Sequence, residues 1–304
     1  MNALIVGSIA FDALETPVAK TDKIIGGAGT YICFAASNFV KPQVVAVVGN
    51  DFPQSYIQKL QDKGVDIEGL QISKDEKTMF WSGRYFDDMN QRETLVTELN
   101  VAEHFNPIVP DSYKNAEYVM LGNLSPIVQR QVLEQLPKKP KFVALDTMNF
   151  WMDTMLDELK KTISMVDIII INDEEARQLS DGERCLPKAA RKICAMGPRY
   201  VIIKKGEHGA LLFSKDKTFS APALPLEYVA DPTGAGDTFA GAFLGYIAQQ
   251  DKTDFETMKT AVIVASAMAS FTVEKLGTEA LENVSQDALR NRILQFKELT
   301  DFQL

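Results

Sequence analysis

The sequence predicts an α/β protein whose mainly parallel sheet is covered by helices on both faces. Three observations carry this. Short, continuously apolar runs recur, the clearest being Val166-Asp167-Ile168-Ile169-Ile170-Ile171, and strands buried on both faces need such runs. Helical patterns separate most of them, so the strands are joined by crossovers that make them parallel. The runs end in Gly, Asp, Asn or Lys, polar residues at the strand ends where open α/β sheets bind ligands.

The elements follow in order. Leu4-Ile5-Val6 ends at Gly7-Ser8 and opens the sheet, with Asp12 just beyond it. Asp12 is a turn residue or a ligand contact. Ile25-Gly26-Gly27-Ala28-Gly29-Thr30 runs into a helix from Tyr31 to Phe39; three glycines in four positions imply close approach of backbone to a ligand or a neighbouring strand. A strand over Val44–Gly49 precedes a helix from Pro53 to Lys63, closed by Gly64. The texture then changes. Segments 78–86 and 94–99 are aromatic, β-branched and partly alternating, and residues 87–91 join them: a hairpin without helical neighbours. Trp81 and Tyr85 serve there as packing or as ligand contacts.

Alternation returns with strands at 118–121 and 142–145, the latter ending in Asp146, then 166–171 ending in Asn172, and 200–203 ending in Lys204-Lys205-Gly206. Helices are expected at 126–136, 174–179 and 187–196, and 211–213 forms a further strand. Residues 255–276 form a long helix rich in Ala, Val and Ser, and 286–296 an amphipathic one. No repeat or linker divides the 304 residues, so one domain over 1–304 is expected.

Composition narrows the function. Apolar residues make up 46% of the chain, enough for a large core, and the formal net charge of −9 argues against a nucleic-acid partner. Cys33, Cys185 and Cys194 are odd in number and lack C-x-x-C spacing, as suits thiols in a reducing cytoplasm. The start, Met1-Asn2-Ala3-Leu4, lacks the pattern of a signal peptide, and the longest apolar stretch, 262–273, is too short and too interrupted to span a membrane. A cytoplasmic protein with no membrane partner is expected.

The chemistry concentrates in Asp231-Pro232-Thr233-Gly234-Ala235-Gly236-Asp237-Thr238-Phe239-Ala240-Gly241. Small residues lead into a helix with Phe239, Phe243 and Ile247 on one face. The free N–H groups and positive end of such a helix bind a phosphate-like anion without a basic side chain. A carboxylate at Asp237 complements the helix dipole, and beside an anion it can also take a proton from an attacking alcohol. Asn172-Asp173-Glu174-Glu175 opens another helix, where Asn172 can cap and leave Glu175 free. Lys205-Gly206-x-x-Gly209 is a hairpin turn or a nucleotide contact. Asn123 can bind a hydroxyl or cap a turn. No His pair has metal spacing and G-x-S-x-G is absent, so a His-centred hydrolase finds no support.

The 231–241 stretch closely resembles the C-terminal signature of the ribokinase-like (PfkB-type) carbohydrate and nucleoside kinases. The other motifs follow in that family's order: the di-glycine at Gly26-Gly27, the hairpin, N-x-x-E at 172–175 and G-x-x-G at 206–209. The resemblance implies a ribokinase-like three-layer α/β/α fold with a small β lid, formed mainly by about 76–100, that covers the substrate and in some members dimerises. It implies Asp237 as catalytic base and Gly234, Ala235 and Gly236 as the anion hole. Asn172, Lys205, Gly206, Gly209 and Thr233 would meet the nucleotide, and Glu175 the metal. Asp12, Gly26, Gly27 and Asn123 would meet the acceptor. ATP and Mg²⁺ are the implied cofactors, with a monovalent cation as an optional addition. Asp146-Thr147-Met148-Asn149 is similar to a D-x-N segment of the family but carries one extra residue. Ala28 and Tyr31 stand where ribokinases carry Lys and Asn, which sets this chain apart from ribose kinases proper. The expected activity is ATP-dependent phosphorylation of a primary hydroxyl of a sugar or sugar-like compound. The alternatives are an adenosine-type nucleoside kinase and a non-catalytic sensor of nucleotide or sugar.

Overall fold

The computed structural model describes residues 2–89 and 91–301. Met1, at the start read for a signal peptide, and Asn90, in the expected hairpin connection, lie outside the described residues. Among the described residues the strands are β1 (Asn2–Val6), β2 (Ala10–Glu15), β3 (Ile24–Gly26), β4 (Lys41–Val48), β5 (Asp66–Ile72), β6 (Phe80–Tyr85), β7 (Arg92–Glu98), β8 (Tyr118–Leu121), β9 (Phe142–Leu145), β10 (Ile168–Asn172), β11 (Tyr200–Lys204), β12 (Ala210–Phe213) and β13 (Thr218–Ala221). The helices are α1 (Ala28–Ala36), α2 (Gln54–Asp62), α3 (Pro126–Glu134), α4 (Asn149–Thr154), α5 (Leu156–Ile163), α6 (Asp173–Leu179), α7 (Leu186–Cys194), α8 (Ala235–Gln250), α9 (Phe255–Thr272), α10 (Glu279–Glu282) and α11 (Gln286–Thr300).

The main sheet has the order β13-β12-β11-β10-β9-β8-β1-β4-β5. It is parallel from β5 to β11, and the β11-β12-β13 edge is antiparallel. Strand β1 sits between β4 and β8, with Ile5 opposite Val44 on one side and Met120 on the other. The chain moves outward from β1 in both directions, and such a switch point opens a crevice at the strands' C-terminal ends.

Alternation along β1 divides the core into two layers. Ala3 and Ile5 pack with α1, α8 and α9, whereas Leu4 and Val6 pack with α3, α5, α6 and α7. Each strand is therefore apolar on both faces, the reason the apolar runs read as strands. Helices α1 and α8 cross closely: a methyl group on Gly241 would lie 2.3 Å from the Ile32 carbonyl oxygen. This contact brings the first turns of both helices to the same end of the sheet.

The smaller sheet has the order β3-β2-β6-β7. It contains the expected hairpin, β6 and β7, and adds two strands from near the start of the chain. Asp12 therefore lies within β2, opposite Ile24 on β3 and Trp81 on β6, rather than in a loop after β1. Other boundaries also differ from expectation. Helix α1 begins at Ala28, so Tyr31 lies in its first turn; α9 stops at Thr272, and α11 runs on to Thr300. Strands β5 and β13 are additions at the two edges of the main sheet. The composition of β5, with Asp66, Glu68, Gly69 and Gln71, is poor for a strand. An edge position tolerates it, because polar side chains there can face water. Among the described residues no helix is long and apolar enough to cross a membrane.

Candidate active site

The start of α8 is held from three sides. Gly234 adopts the left-handed conformation (φ 73°), and the Tyr31 ring lies so close that a side-chain carbon there would come within 2.4 Å of it. Only glycine satisfies both demands. The buried Asp231 accepts hydrogen bonds from the Thr233 N–H and the Gly277 N–H, both at 2.9 Å. It ties the turn to the loop after α9, a positioning role. The Thr233 hydroxyl donates to the Tyr85 hydroxyl of the lid at 3.1 Å, which latches β6 onto the turn. Of the three residues expected to form the anion hole, Ala235 already donates its N–H to the Pro232 carbonyl at 3.2 Å. That amide is committed within the protein, so the anion site rests on the rest of the first turn and its dipole.

Four charged side chains converge beside this turn. Asp146 follows β9 and is buried, Glu175 lies in the first turn of α6, Lys204 ends β11, and Asp237 belongs to the first turn of α8. Lys204 Nζ is 3.6 Å from Asp146 Oδ1, and it lies 2.8 Å from where a side-chain carbon on Gly236 would be. A cation thus sits against the helix terminus. The sequence pointed to Lys205 as a nucleotide contact; the cation against Gly236 is its neighbour Lys204. Lys205 follows the last residue of β11 and opens the turn to β12. Gly206 and Gly209 shape the β11–β12 turn, where a side chain at Gly209 would come 2.1 Å from the Ala221 carbonyl oxygen.

Glu175 is less free than the capping pattern suggested. Asn172 Oδ1 accepts from the Glu175 N–H, and Glu175 Oε2 accepts from the Asn172 N–H, each at 2.8 Å. This capping box occupies one carboxylate oxygen and fixes the direction of the other. Asn123 is likewise engaged: Oδ1 accepts from Trp151 Nε1–H at 2.8 Å, and Nδ2 lies 3.0 Å from Met148 Sδ. Its amide anchors α4, which leaves the expected contact with the acceptor without geometric support.

Across the crevice, Asp12 is buried and accepts weakly from the Gly27 N–H at 3.4 Å. Its carboxylate lies over Gly26, where a side-chain carbon would come 1.9 Å from Oδ2. The glycine pair thus makes room for this carboxylate and for the neighbouring strand. Trp81 packs within the lid: its Nε1–H donates to Thr94 at 3.4 Å, Gly83 lies under its ring, and the Arg92 guanidinium sits 5.6 Å from the ring centroid.

The crowding of acids raises their proton affinity. Burial pushes Asp237 up to about 7, and the charge of Asp146 adds to the rise, while Lys204 and Arg92 oppose it. Asp237 is partly open to the crevice even so. Burial also raises Glu175 to about 7, with Lys204 acting against it and Asp146 with it. Asp12 rises to about 7 through burial, opposed by the Gly27 N–H and Arg92 and aided by Asp231. Burial raises Asp146 as well, against the pull of Lys204. Burial disfavours the Lys204 ammonium, yet the charges of Asp146, Glu175 and Asp237 outweigh it and hold the group protonated. A carboxylate poised near neutrality at a helix N-terminus, with a cation beside it, can accept a proton from a group that attacks a bound anion.

Lys204 and Arg92 were not singled out from the sequence. Their signal was weak: one of two adjacent lysines, and one arginine at the start of a lid strand.

The chain matches the family model described as pfkB family carbohydrate kinase over residues 4–284. A cytidine kinase of Thermococcus kodakarensis is 31% identical over 255 residues, covering 81% of this chain and 88% of the relative. Among solved structures, the nucleoside kinase of Burkholderia thailandensis in complex with inosine is similar at a TM-score of 0.75 and 22% identity, covering 99% of this chain and 100% of that one. Arabidopsis thaliana ribokinase complexed with ribose and ATP is similar at a TM-score of 0.78 and 22% identity, covering 96% and 98%. Structural likeness at such low identity carries the fold alone.

Proposed function

Because the chain belongs to the pfkB family of carbohydrate kinases, and is a phosphotransferase acting on a hydroxyl of a sugar or nucleoside, we propose that its acceptor is a nucleoside and that ATP with Mg²⁺ is the donor. The observation that carries the reading is Asp237 in the first turn of α8, with Lys204 against Gly236 and Asp12 facing them from the lid. Three features favour a nucleoside over a plain sugar. The cytidine kinase relative is one. Tyr31 and Ala28 in place of the Asn and Lys of ribokinases are another, and the third is the pair of buried rings, Tyr31 and Tyr85, beside the turn.

In this reading Asp237 takes the proton of the attacking hydroxyl. The first-turn amides and the Lys204 ammonium carry the charge of the transferring phosphoryl group, the dominant means of catalysis in such transfers. Asp12 accepts hydrogen bonds from acceptor hydroxyls, and the lid excludes water that would compete as nucleophile. Among the described residues no cluster of three or more His, Cys, Asp or Glu is placed to hold a metal alone. Mg²⁺ keeps several waters and is bound by one or two carboxylates plus substrate phosphates. Glu175, with one oxygen fixed by the capping box, and Asp146, whose Oδ1 is buried without a hydrogen bond, are the residues that would hold it. Bound there, it would neutralise phosphate charge. Strand β7 is the lid's outer edge and exposes Leu95 and Val96, so the reading includes a homodimer formed through the lid.

The test is a panel assay of ADP release with ATP and Mg²⁺. A nucleoside should be turned over with a kcat/KM at least about tenfold above that of ribose, one hydrogen bond's worth of discrimination. Preference for ribose would overturn the nucleoside assignment, and no turnover of any sugar or nucleoside would overturn the whole reading.

The same acids predict a pH dependence. Asp237, Glu175 and Asp12 have folded-state values of about 7, above ordinary values of 3.8 to 4.5. The base form of Asp237 is lost as pH falls through 7, so kcat/KM should drop on the acid side with an apparent value near 7 that belongs to the coupled cluster. For stability the sign is opposite. The folded state holds more protons than the unfolded between about pH 4 and 7, so these groups favour the fold increasingly as pH falls through that window. A kcat/KM flat from pH 5 to 8 would contradict the assignment of Asp237 as base.

A further inference from the structure

Tyr31 carries a polar group that the fold leaves unused. Its side chain is 1% exposed, and its hydroxyl is buried without a hydrogen-bond partner. Leaving a hydroxyl so is unfavourable, and such a group in a native structure calls for a cause. Each oxygen of Asp231 accepts one N–H, from Thr233 or from Gly277, and the Tyr85 hydroxyl accepts from Thr233, while none of them is bonded to the Tyr31 hydroxyl. The ring lies so close to Gly234 that a side-chain carbon there would come 2.4 Å from it, and the carboxylates of Asp12, Asp231 and Asp237 are near enough for their charges to act on the phenol. Burial holds that phenol protonated well beyond neutral pH, so it is a donor.

We infer that Tyr31 is a catalytic residue whose phenol O–H donates a hydrogen bond to the acceptor's attacking hydroxyl oxygen. This rests on the kinase reading above and adds a residue to it. The attacking oxygen has one O–H and two lone pairs. Its proton goes to Asp237, and one lone pair forms the new bond to the γ-phosphorus. The electron pair of the broken P–O bond leaves with ADP. The second lone pair accepts from Tyr31, which keeps its own proton throughout. Fixing that lone pair orients the first toward phosphorus, the near-attack geometry that speeds transfer between bound partners. The same ring, resting on Gly234, keeps the anion turn in register with the hydroxyl it positions.

The test compares Tyr31→Phe and Tyr31→Leu with wild type, using the nucleoside that wild type turns over fastest. Tyr31→Phe keeps the ring against Gly234 and removes only the oxygen. Its kcat should fall about 10–100-fold, with the KM for ATP within twofold and the melting temperature unchanged or higher, since an unsatisfied buried hydroxyl is gone. Tyr31→Leu also removes the ring, and should raise the KM for ATP as the Gly234 turn loosens. If Tyr31→Phe matches wild type within twofold in kcat and acceptor KM, the inference is wrong while the kinase reading stands. If only the acceptor KM rises, the phenol binds a non-reacting part of the acceptor and the assignment to the attacking oxygen fails. If wild type turns over no sugar or nucleoside, both readings fall together.

Discussion

Asp237→Asn will lower turnover by roughly 10²–10⁴-fold and leave ATP bound with near wild-type affinity. The substitution keeps the shape of the side chain and removes its capacity to take a proton. Nucleotide binding should persist because the turn is held by Asp231, Thr233 and Gly234, none of which Asp237 supports by hydrogen bond. Stability should not fall either. In the folded state burial and the charge of Asp146 make the ionised form of Asp237 unfavourable, so a neutral amide relieves repulsion. Kinetics together with a melting curve therefore separate loss of chemistry from loss of fold. Turnover within a few-fold of wild type would remove Asp237 from the mechanism.

Lys204→Met should lower turnover by roughly 10²-fold or more and also destabilise the protein. The side chain is 16% exposed, and its ammonium faces Asp146 at 3.6 Å and the start of α8 beside Gly236. Methionine preserves the apolar stem but withdraws the cation around which Asp146, Glu175 and Asp237 are gathered. Breaking a buried pair from one side costs about 3–5 kcal/mol, unless the acids take up protons instead. That escape has its own signature. Lys204 holds the carboxyl of Asp237 down, so without it the acid limb of kcat/KM should move to higher pH. Lys205→Met, one residue on, should leave all three readouts close to wild type. Equal effects from the two substitutions would refute the assignment of Lys204 to the anion site.

The contrast between these two lysines shows where the sequence stops being informative. The pair Lys204-Lys205 ahead of Gly206-x-x-Gly209 marks a strand end and a turn. Which lysine enters the crevice depends on the last residue of β11 and its pairing with Asn172 on β10. A shift of one residue would exchange them. Glu175 is a similar case. Its spacing from Asn172 is plain in the sequence, but the reciprocal capping box that commits one of its oxygens exists only once α6 has formed.

The sequence by itself determined the layered α/β class, because strands buried on both faces must be apolar throughout and can then be read without knowing their neighbours. It also determined the turn at the start of α8, because Gly234 takes a left-handed backbone conformation that glycine adopts without strain. Only the tertiary structure decided what surrounds that turn. Asp12 arrives on a lid strand, Asp146 just after β9 and Lys204 at the end of β11, and Tyr31 through the close crossing of α1 on α8. These groups are separated by up to two hundred residues of chain, and each is ambiguous alone, as turn residue, cap or core. Their burial together raises Asp12, Glu175 and Asp237 to about 7 and leaves the Tyr31 hydroxyl without a partner. Burial and mutual charge are properties of the packed site rather than of any local stretch of residues, so they became legible only when the sheet, the lid and the two helices met.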